Sequence, residues 1–455
     1  MSAAEARQVA LEVLIRVDGG AASDRALDGA LRREQLPARE RGLATELVYG
    51  VLRRRQSIDR RLASHSSRPL EQLDVAVLEA LRLGAYQLDF LDRVPAHAAV
   101  GATVDAVKRH NRAASGFVNG VLRGLSRDRE SSPKTGAAAA FADVPEWWAE
   151  RWRGRYGDAD AGAWFSATLR PAPLVLRAHP RVTDPEELAA TLAGQGIEVE
   201  PARYARGALR VVSGNPLDSP LLRQGAFALR GEASQLVASL LPVGANDRVF
   251  DACAGRGGKT LQIAEDAAPR IVVAGDVSPW RAAACRRAAR SAGVGEVRVV
   301  VADCSVPAPF GRRFSAVLVD APCSGLGTVR RRPEIRWRIR PERLRRLGEL
   351  QRAILGHAAD TLAVGGALLY ATCSTEPEEN EEVVAAVVAG RDDLEQRPVV
   401  LPPGLAGVGG VPGVAGVPGV AAAEHSFVGV DGYFRTYPQC TEMDGFFAAL
   451  LVKTG

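Results

Sequence analysis

The chain has 455 residues, a hydrophobic content of 47% and a formal net charge of +5. This length exceeds what one hydrophobic core usually organises, so we expect two or three domains. A charged content of 24% is ordinary for a folded protein and excludes a largely disordered chain. The first residues show no basic stretch followed by an apolar run, so we expect no secretory signal and a cytoplasmic protein.

Residues 1–127 form the first predicted region. Segments such as 6–17 and 73–90 place apolar residues three and four positions apart, which is the spacing of one helix face. We predict an all-α domain over 1–127, followed by a polar linker over 128–143 that is rich in helix-breaking residues.

Residues 144–241 mix helical and strand patterns. Residues 174–177 suit a short strand and residues 185–194 suit a helix. We predict a small α/β connecting module over this range.

From residue 242 to 455, short apolar runs alternate with helical segments. The predicted strands are 248–252, 271–276, 297–303, 315–320 and 367–372. The predicted helices between them are 259–266, 279–292 and 341–362. This alternation predicts a Rossmann-like α/β fold with a mostly parallel, doubly wound sheet, in which ligands bind beyond the carboxyl ends of the strands.

An uncharged stretch over about 398–423 interrupts this pattern. It contains two Val-Pro-Gly-Val units, and its glycine and proline content excludes a helix that spans a membrane. We expect a flexible surface insertion and no membrane partner.

A glycine-rich turn follows the first predicted strand of this region. Residues 250–260 read Phe-Asp-Ala-Cys-Ala-Gly-Arg-Gly-Gly-Lys-Thr. Glycines let the backbone approach a ligand, and a helix N-terminus offers free N–H groups. A phosphate-binding P-loop needs glycine where Cys253 stands, and a dinucleotide fingerprint needs glycine where Thr260 stands. We therefore predict another nucleotide-like cofactor, close to Lys259, one of four lysines in a chain with 58 basic residues.

Aspartates end three successive predicted strands. Asp276 follows the glycine-rich turn at close to the distance of about 20 residues at which an acidic residue binds ribose hydroxyls. We therefore predict Asp276 as the ribose ligand. Asp303 is predicted on the adenine side of the same cofactor, and Asp320 ends the fourth strand.

Two cysteines also follow predicted strands, Cys323 in Asp-Ala-Pro-Cys-Ser-Gly and Cys373 in Ala-Thr-Cys-Ser-Thr. A thiolate that adds to carbon 6 of cytosine makes carbon 5 nucleophilic enough to attack a methyl sulfonium, and a base must then remove the carbon 5 proton. Asp320 is predicted as a neutral acid that protonates ring nitrogen N3. The residues alone do not rank the two thiols. The cysteines lack metal-ligand spacing, so we predict no metal site.

These motifs resemble those of the RNA cytosine-C5 methyltransferases, the Nol1/Nop2/Sun family. In the second half of the chain, the resemblance rests on residues 251–260, 320–325, 371–374, 378–381 and 444–447. In the first half, a NusB-like helical domain, as in the RsmB (Sun) subfamily, is indicated by residues 46–53, 94–100 and 116–123.

The resemblance implies a class I methyltransferase domain that moves a methyl group from S-adenosyl-L-methionine to carbon 5 of a cytidine in small-subunit ribosomal RNA. It implies Cys373 as the nucleophile and Cys323 as the residue that helps release the product. The implied cofactor-binding residues are Cys253, Ala254, Gly255, Arg256, Gly257, Gly258, Lys259, Asp276, Asp303 and Asp320. Arg256 is a departure, since the family usually has proline there.

An arginine-rich segment follows the Cys323 motif and predicts contacts with RNA phosphates. The arginines assigned to this role are Arg330, Arg331, Arg332, Arg336 and Arg338. Because the target carbon lies within a stacked base, we expect an unpaired or flipped-out cytidine as the substrate, bound by a monomer.

Two other functions stay open. The chain could methylate tRNA or another RNA, which the catalytic motifs equally permit; the helical domain is what favours ribosomal RNA. It could also be a non-catalytic NusB-like RNA-binding factor, and the intact pair of cysteines argues against that.

Overall fold

The computed structural model describes residues 3–128, 140–403, 405 and 427–455. The chain divides into two compact units. We call Met1–Pro171 with Val329–Arg338 the helical unit, and Ala172–Thr328 with Ile339–Gly455 the sheet unit.

Two predicted segments fall largely outside the described residues. These are the linker at 128–143 and the insertion at 398–423, of which residues 128, 140–143, 398–403 and 405 are described. Within the residues that are described, no helix is both long enough and apolar enough to cross a bilayer.

The first part of the helical unit consists of helices packed on one core, as predicted. Its α-helices are Ala3–Asp18, Ser23–Glu34, Ala38–Arg53, Arg55–Ala63, Val75–Phe90, Ala96–Lys108 and Ser115–Arg127, with short 3-10 turns at Leu70–Gln72 and Arg112–Ala114. Val75–Phe90 is buried along most of its length. Asp74 fixes its start, because the Asp74 side chain accepts a hydrogen bond from the N–H of Ala76.

A further helix of this unit, Glu146–Thr168, is bent at Gly157, which has a φ of 76°. The bend brings Trp152 onto Trp164, with ring centroids 4.2 Å apart, and Trp148 packs edge-on against Trp164 at 5.0 Å. The first stretch of the helical unit ends at Pro171. The predicted bounds of the connecting module, 144–241, stay a prediction.

The segment Val329–Arg338 belongs to the helical unit, and its arginines bond to that unit. Arg336 is fully buried and donates hydrogen bonds to the carbonyl oxygens of Asp143 (2.9 Å) and Thr168 (3.3 Å). Arg330 is buried as well and donates to the carbonyl oxygen of Pro171 at 2.8 Å. The prediction that Arg330 and Arg336 contact RNA is therefore wrong, because neither guanidinium group is accessible to a phosphate.

The same segment makes further contacts with the helical unit. Arg338 donates to the carbonyl oxygen of Ala21 at 2.8 Å and to that of Val17, so its donors are also engaged. The buried carboxylate of Glu334 accepts hydrogen bonds from Ser23 N (3.1 Å) and Oγ (2.7 Å). Arg331 and Arg332 are partly exposed, and an RNA contact by either stays a prediction.

The sheet unit begins with a small antiparallel sheet. Its strands are β1 (Val175–Ala178), β2 (Glu198–Pro201), β3 (Ala208–Ser213) and β4 (Phe227–Leu229), in the order β2-β3-β1-β4. The helices in this part of the chain are Pro185–Ala193, Pro220–Arg223 and Glu232–Ser239, with a 3-10 turn at Pro216–Asp218. Strand β1 and helix Pro185–Ala193 confirm the two elements predicted here.

A large sheet completes the sheet unit. Its strands are β5 (Arg248–Asp251), β6 (Ile271–Asp276), β7 (Val297–Val301), β8 (Phe314–Asp320), β9 (Leu362–Thr372), β10 (Leu394–Arg397), β11 (Phe434–Thr436) and β12 (Phe446–Lys453). The order is β10-β12-β9-β8-β5-β6-β7, with β11 also paired to β12. Helices of this region are Gly258–Ala267, Pro279–Ser291, Pro341–Asp360, Glu381–Ala389 and Pro438–Thr441, and 3-10 turns lie at Leu326–Thr328 and Pro377–Glu379.

Strands β5 to β9 pair in parallel, which confirms the predicted mostly parallel, doubly wound sheet. The antiparallel strands β10, β11 and β12 were not predicted. Strand β12 is buried almost throughout and pairs with β9 on one side and with β10 and β11 on the other, so it closes the sheet beside the last parallel strand.

Candidate active site

The carboxyl ends of neighbouring parallel strands meet at one edge of the large sheet. Strands β9, β8, β5 and β6 are adjacent in that order. Their last residues, Thr372, Asp320, Asp251 and Asp276, therefore share this edge. In parallel α/β sheets, ligands bind at the carboxyl edge.

The glycine-rich turn after β5 leads directly into helix Gly258–Ala267. Gly257 has a φ of 89°, and a Cβ atom there would lie 2.6 Å from Sγ of Cys285, so the position requires glycine. The N–H of Gly255 donates to Oδ2 of Asp276 at 3.0 Å, which fastens the turn to the end of β6. A Cβ atom at Gly255 would meet nothing within 4 Å, so there is open space beside the turn.

Asp251 also anchors this turn, although the sequence analysis gave it no role. Its carboxylate accepts hydrogen bonds from Oγ1 of Thr260 (2.6 Å) and from N of Cys253 (3.3 Å). Burial raises the pKa of Asp251 from 3.8 to about 7. The available sequence signal was its place at the end of a strand, directly before the glycine-rich turn.

Asp276 and Asp303 lie at the ends of neighbouring strands. Asp276 is buried, and it accepts a hydrogen bond from N of Ser278 at 2.8 Å in addition to the one from Gly255. Asp303 follows β7 and is exposed; hydrogen bonds from Oγ and N of Ser305, at 2.6 and 2.9 Å, lower the pKa of its carboxyl group. Both carboxylates are thus held at the edge where a ligand with hydroxyl groups could be bound.

Lys259 links the glycine-rich turn to the loop at residues 320–327, which we call the Cys323 loop. Its side chain is only 8% exposed, and its Nζ atom lies 2.6 Å from Oδ2 of Asp320. An ammonium group at this distance stabilises an ionised carboxylate. Asp320 is thus paired with a buried lysine, and its predicted role as a neutral acid stays a prediction.

Cys323 and Cys373 lie side by side. Because β8 and β9 are parallel neighbours with Asp320 opposite Ala371, the loops after them bring the two Sγ atoms to 3.3 Å. Both side chains are partly exposed. The hydrogen bond with Cys373 and burial together raise the pKa of the Cys323 thiol well above its usual value. A thiol that keeps its proton suits a proton-transfer role better than a nucleophilic one.

Of the four other cysteines, two are buried and two are partly exposed. Cys285 and Cys304 are buried, and burial raises the pKa of each thiol to about 11. Cys253, within the glycine-rich turn, and Cys440 are partly exposed.

A buried carboxylate joins the two cysteine loops. Glu379 is fully buried; its Oε1 accepts from N of Ser324 at 2.7 Å, and its Oε2 accepts from Oγ of Ser324 and Oγ of Ser374, each at 2.5 Å. Gln351 donates to Oε1 at 3.2 Å. The sequence analysis included Glu379 in a family motif but assigned it no function.

Two arginines lie beside the glycine-rich turn. The guanidinium group of Arg256 stands 4.7 Å from the ring centroid of Trp280, a cation–π contact. Arg230 donates to Oε1 of Gln262 at 3.1 Å, and burial lowers the pKa of its guanidinium group to about 10. A Cβ atom at Gly258 would lie 2.3 Å from Nη2 of Arg230, so this arginine packs directly on the start of the helix.

The doubly wound sheet and its glycine-rich turn define a methyltransferase domain. Residues 238–452 match the family described as 16S rRNA methyltransferase RsmB/F, residues 4–127 match the NusB family, and residues 144–218 match the ferredoxin-like domain of RsmF/B-like methyltransferases. The ribosomal RNA small subunit methyltransferase B of Thermus thermophilus is 36% identical over 405 residues, covering 88% of this chain and 92% of that protein. The chain therefore belongs to the RsmB/F family of 16S rRNA methyltransferases, which confirms the resemblance found in the sequence.

Solved structures support the fold. The crystal structure of PH0851 superposes with a TM-score of 0.83 at 23% identity, over 100% of this chain and 99% of that one. NSun6 from Pyrococcus horikoshii, solved with SFG, has a TM-score of 0.56 at 18% identity, over 68% of this chain and 98% of that one.

Proposed function

We propose that this protein transfers a methyl group from S-adenosyl-L-methionine to carbon 5 of a cytidine in small-subunit ribosomal RNA, through a covalent adduct at carbon 6. The observation that carries the proposal is the 3.3 Å approach of the Cys323 and Cys373 sulfur atoms, at the sheet edge that also holds the glycine-rich turn. Two adjacent thiols fit a reaction in which one adds to a ring carbon and the other moves a proton.

The residues proposed to hold the cofactor are the turn at 253–259 with Asp276, Asp303 and Asp320. When bound, S-adenosyl-L-methionine would supply an electrophilic methyl group on a cationic sulfur. The open space beside Gly255 and the carboxylates around it fit a cationic ligand that carries hydroxyl groups. The structural relative solved with SFG, an analogue of this cofactor, supports the assignment.

Cys373 is the proposed nucleophile. Its thiolate would bond to carbon 6 as N3 takes up a proton, and carbon 5 would gain the electron density to accept the methyl group that the bound cofactor would supply, leaving the cofactor's sulfur as a neutral thioether. The carbon 5 proton then leaves to a base, N3 gives back its proton, and the Cys373–carbon bond breaks.

Cys323 is the proposed base for the carbon 5 proton. The hydrogen bond with Cys373 and burial raise the pKa of its thiol, so the thiol keeps its proton before Cys373 reacts. Once the Cys373 sulfur is bonded to carbon 6, this neighbour no longer stabilises the Cys323 thiol, so the Cys323 thiolate becomes easier to form at the stage that needs it.

Asp320 is the proposed group facing N3. A proton passed from the Lys259 ammonium, 2.6 Å away, would convert Asp320 to the neutral acid that this step requires. The ion pair then acts as one proton-donating unit.

The RNA surface is proposed on helix Pro341–Asp360. Arg343, Arg345 and Arg346 are exposed on this helix, in contrast to Arg330 and Arg336. Gln351 of the same helix donates to the carbonyl oxygen of Pro322 at 2.8 Å, so the helix reaches the Cys323 loop. We expect these arginines to bind phosphates near a cytidine that is unpaired or flipped out of its stack, in cytoplasmic ribosomal RNA.

The direct test is transfer of labelled methyl from S-adenosyl-L-methionine to ribosomal RNA purified from a strain that lacks this gene. We expect label in small-subunit RNA at one position, recovered as 5-methylcytidine. Label found solely in tRNA, or a labelled base other than cytosine, would contradict the proposal.

A further inference from the structure

We propose that Glu379 is a positioning residue that sets the separation of the two cysteine sulfurs, by clamping the Cys323 loop onto the Cys373 loop. The catalytic consequence rests on the function proposed above, whereas the geometric claim stands on the structure of the two loops.

The clamp acts through the serine that follows each cysteine. Ser324 bonds to Glu379 twice, through N at 2.7 Å and Oγ at 2.5 Å, and Ser374 bonds to it once, through Oγ at 2.5 Å. Each serine is covalently next to a reacting cysteine, so a shift of either loop changes the distance between the sulfur atoms. Four hydrogen bonds to one buried carboxyl group fix its position closely.

The Cys373 loop has a second support that does not involve this carboxylate. Asn380 accepts from Oγ1 of Thr372 at 2.5 Å and donates to the carbonyl oxygen of Ser374 at 3.1 Å. These bonds hold both residues that flank Cys373. Loss of the Glu379 carboxyl group should therefore leave Cys373 largely in place.

The Cys323 loop depends more on Glu379. Backbone hydrogen bonds tie its two ends to the Cys373 strand and loop, from Ala321 N to Ala371 O (2.9 Å) and from Gly327 N to Cys373 O (3.0 Å). Between these ties, Gln351 donates to the carbonyl oxygen of Pro322 at 2.8 Å, and Oγ of Ser324 lies 3.3 Å from Oγ of Ser374. Glu379 accepts the two shortest hydrogen bonds from Ser324, at 2.7 and 2.5 Å. We therefore expect loss of the clamp to displace Cys323 and to impair product release more than the first attack.

The hydrogen bonds of Glu379 allow its role in positioning the loops to be tested separately from its negative charge. Oε1 accepts from two N–H groups, those of Ser324 and Gln351, and Oε2 accepts from two hydroxyl groups. A glutamine can place its carbonyl oxygen at the first site and its NH₂ at the second, where it donates to the serine oxygens. Glu379→Gln thus preserves the clamp and Glu379→Ala removes it.

The experiment compares Glu379→Ala and Glu379→Gln with the control Glu382→Ala, which removes an exposed carboxylate from the adjoining helix. The geometric readout is the binding of phenylarsine oxide to the cofactor-free protein. Arsenic forms two As–S bonds to a pair of adjacent thiols, with loss of one water, so its affinity reports the separation of Cys323 and Cys373. The Cys323→Ser protein gives the background from other cysteines.

The catalytic readout is methyl transfer to ribosomal RNA, together with the amount of RNA–protein adduct on denaturing gels. For Glu379→Ala we expect the affinity for the arsenical to fall about 10-fold. Turnover should fall on the order of 100-fold, as expected when a catalytic group is misplaced by about 1 Å. The amount of RNA–protein adduct per enzyme should be higher than in the wild type. Glu379→Gln should stay within about 3-fold of the wild type in both readouts, because its hydrogen bonds can be remade. Glu382→Ala should match the wild type.

Wild-type arsenical affinity in Glu379→Ala would overturn the inference, and so would a Glu379→Gln protein as impaired as Glu379→Ala. If the wild type binds the arsenical but methylates no RNA, the proposed function fails while the geometric claim is still decided by the variants. Should Glu379→Ala not fold, Ser324→Ala removes one hydroxyl of the clamp. A Ser324→Ala protein with unchanged arsenical affinity and unchanged adduct would equally overturn the inference.

Discussion

Two neighbouring stretches of the chain, the Cys323 loop at 320–327 and the arginine-rich segment Val329–Arg338, contrast in what their polar side chains do. The Cys323 loop places Asp320 and Cys323 at the carboxyl edge of the sheet, beside Lys259 and Cys373. The arginines of the segment that follows instead satisfy backbone carbonyl groups of the helical unit. Residue type alone does not separate a functional charge from a structural one.

The acceptors explain why arginine suits the second stretch. Arg336 bonds to the carbonyl oxygen of Thr168, the last residue of helix Glu146–Thr168, and Arg338 bonds to that of Val17, near the end of helix Ala3–Asp18. The last carbonyl groups of a helix lack partners within it and carry partial negative charge. Arginine has five donors on a planar group, so one side chain can serve several such carbonyls.

The largest expected effect is on catalysis at the sheet edge where Cys373 lies beside the Cys323 loop. Cys373→Ala removes the proposed nucleophile, so methyl transfer should fall on the order of a thousandfold or more. RNA affinity, measured by filter binding, should stay within about 3-fold, because phosphate contacts carry most of it. Transfer at the wild-type rate would show that the thiol at 373 is not the nucleophile.

A pH series tests the buried acid beneath the glycine-rich turn. In the folded protein the pKa of Asp251 is raised from 3.8 to about 7. Its protonated form therefore stabilises the fold fully below pH 4, and this stability is lost as pH rises towards 7. Between those values, the free energy of unfolding of the wild type should fall relative to Asp251→Asn by at most about 4 kcal/mol.

The measurement is urea unfolding of both proteins at pH 4, 5, 6 and 7, followed by a probe in the sheet unit. Parallel pH profiles for the two proteins would contradict the raised pKa of Asp251.

The arginine-rich segment is tested by stability. Arg336→Met removes a buried guanidinium group and leaves the carbonyl oxygens of Asp143 and Thr168 without its donors. We expect the free energy of unfolding of the helical unit to fall by about 3 kcal/mol. The matched control is Arg345→Met on the exposed face of helix Pro341–Asp360, which should change stability by less than about 0.5 kcal/mol. Equal stabilities for the two variants would contradict a structural role for Arg336.

The smallest expected effect uses the same control in a binding assay. If Arg345 contacts a phosphate, Arg345→Met should weaken binding to ribosomal RNA several-fold and reduce the slope of log affinity against log salt by about 1. Binding should fall alike for RNA of different sequences, since a phosphate contact carries no base information. An unchanged salt slope would show that Arg345 contacts no phosphate and that the RNA surface does not include this part of the helix.

Much of the sheet unit could be predicted, because the spacing of its apolar residues and the positions of its distinctive polar residues indicate the same fold. Apolar runs of strand length alternated with helical segments, and the distinctive residues came directly after the runs, where parallel strands share an edge. This pattern alone predicts Asp276, Asp320, Cys323 and Cys373 at one edge of the sheet. Strands β10 to β12 are not predicted, because β10 and β11 have only four and three residues and all three pair antiparallel, outside the strand–helix alternation on which the prediction rests.

The residues whose roles the sequence did not predict correctly, Glu379 and Arg336, have a different cause in common. Glu379 lies in the short turn Pro377–Glu379 and reads as a solvent-exposed acid by its neighbours, yet it is fully buried. Arg336 sits in a run of arginines that reads as a phosphate-binding surface, yet it is enclosed by the helical unit. Burial of a charged group depends on partners distant in the sequence, and a single sequence does not identify those partners.

The most direct test of the proposed chemistry is to identify the residue that bonds to the pyrimidine. Ribosomal RNA containing 5-fluorocytidine should trap the adduct, because the fluorine at carbon 5 cannot leave as a proton does. After digestion with protease and nuclease, mass spectrometry should find the nucleotide on the peptide that contains Cys373. A nucleotide on the Cys323 peptide, or methyl transfer to ordinary RNA with no trapped adduct, would contradict the account.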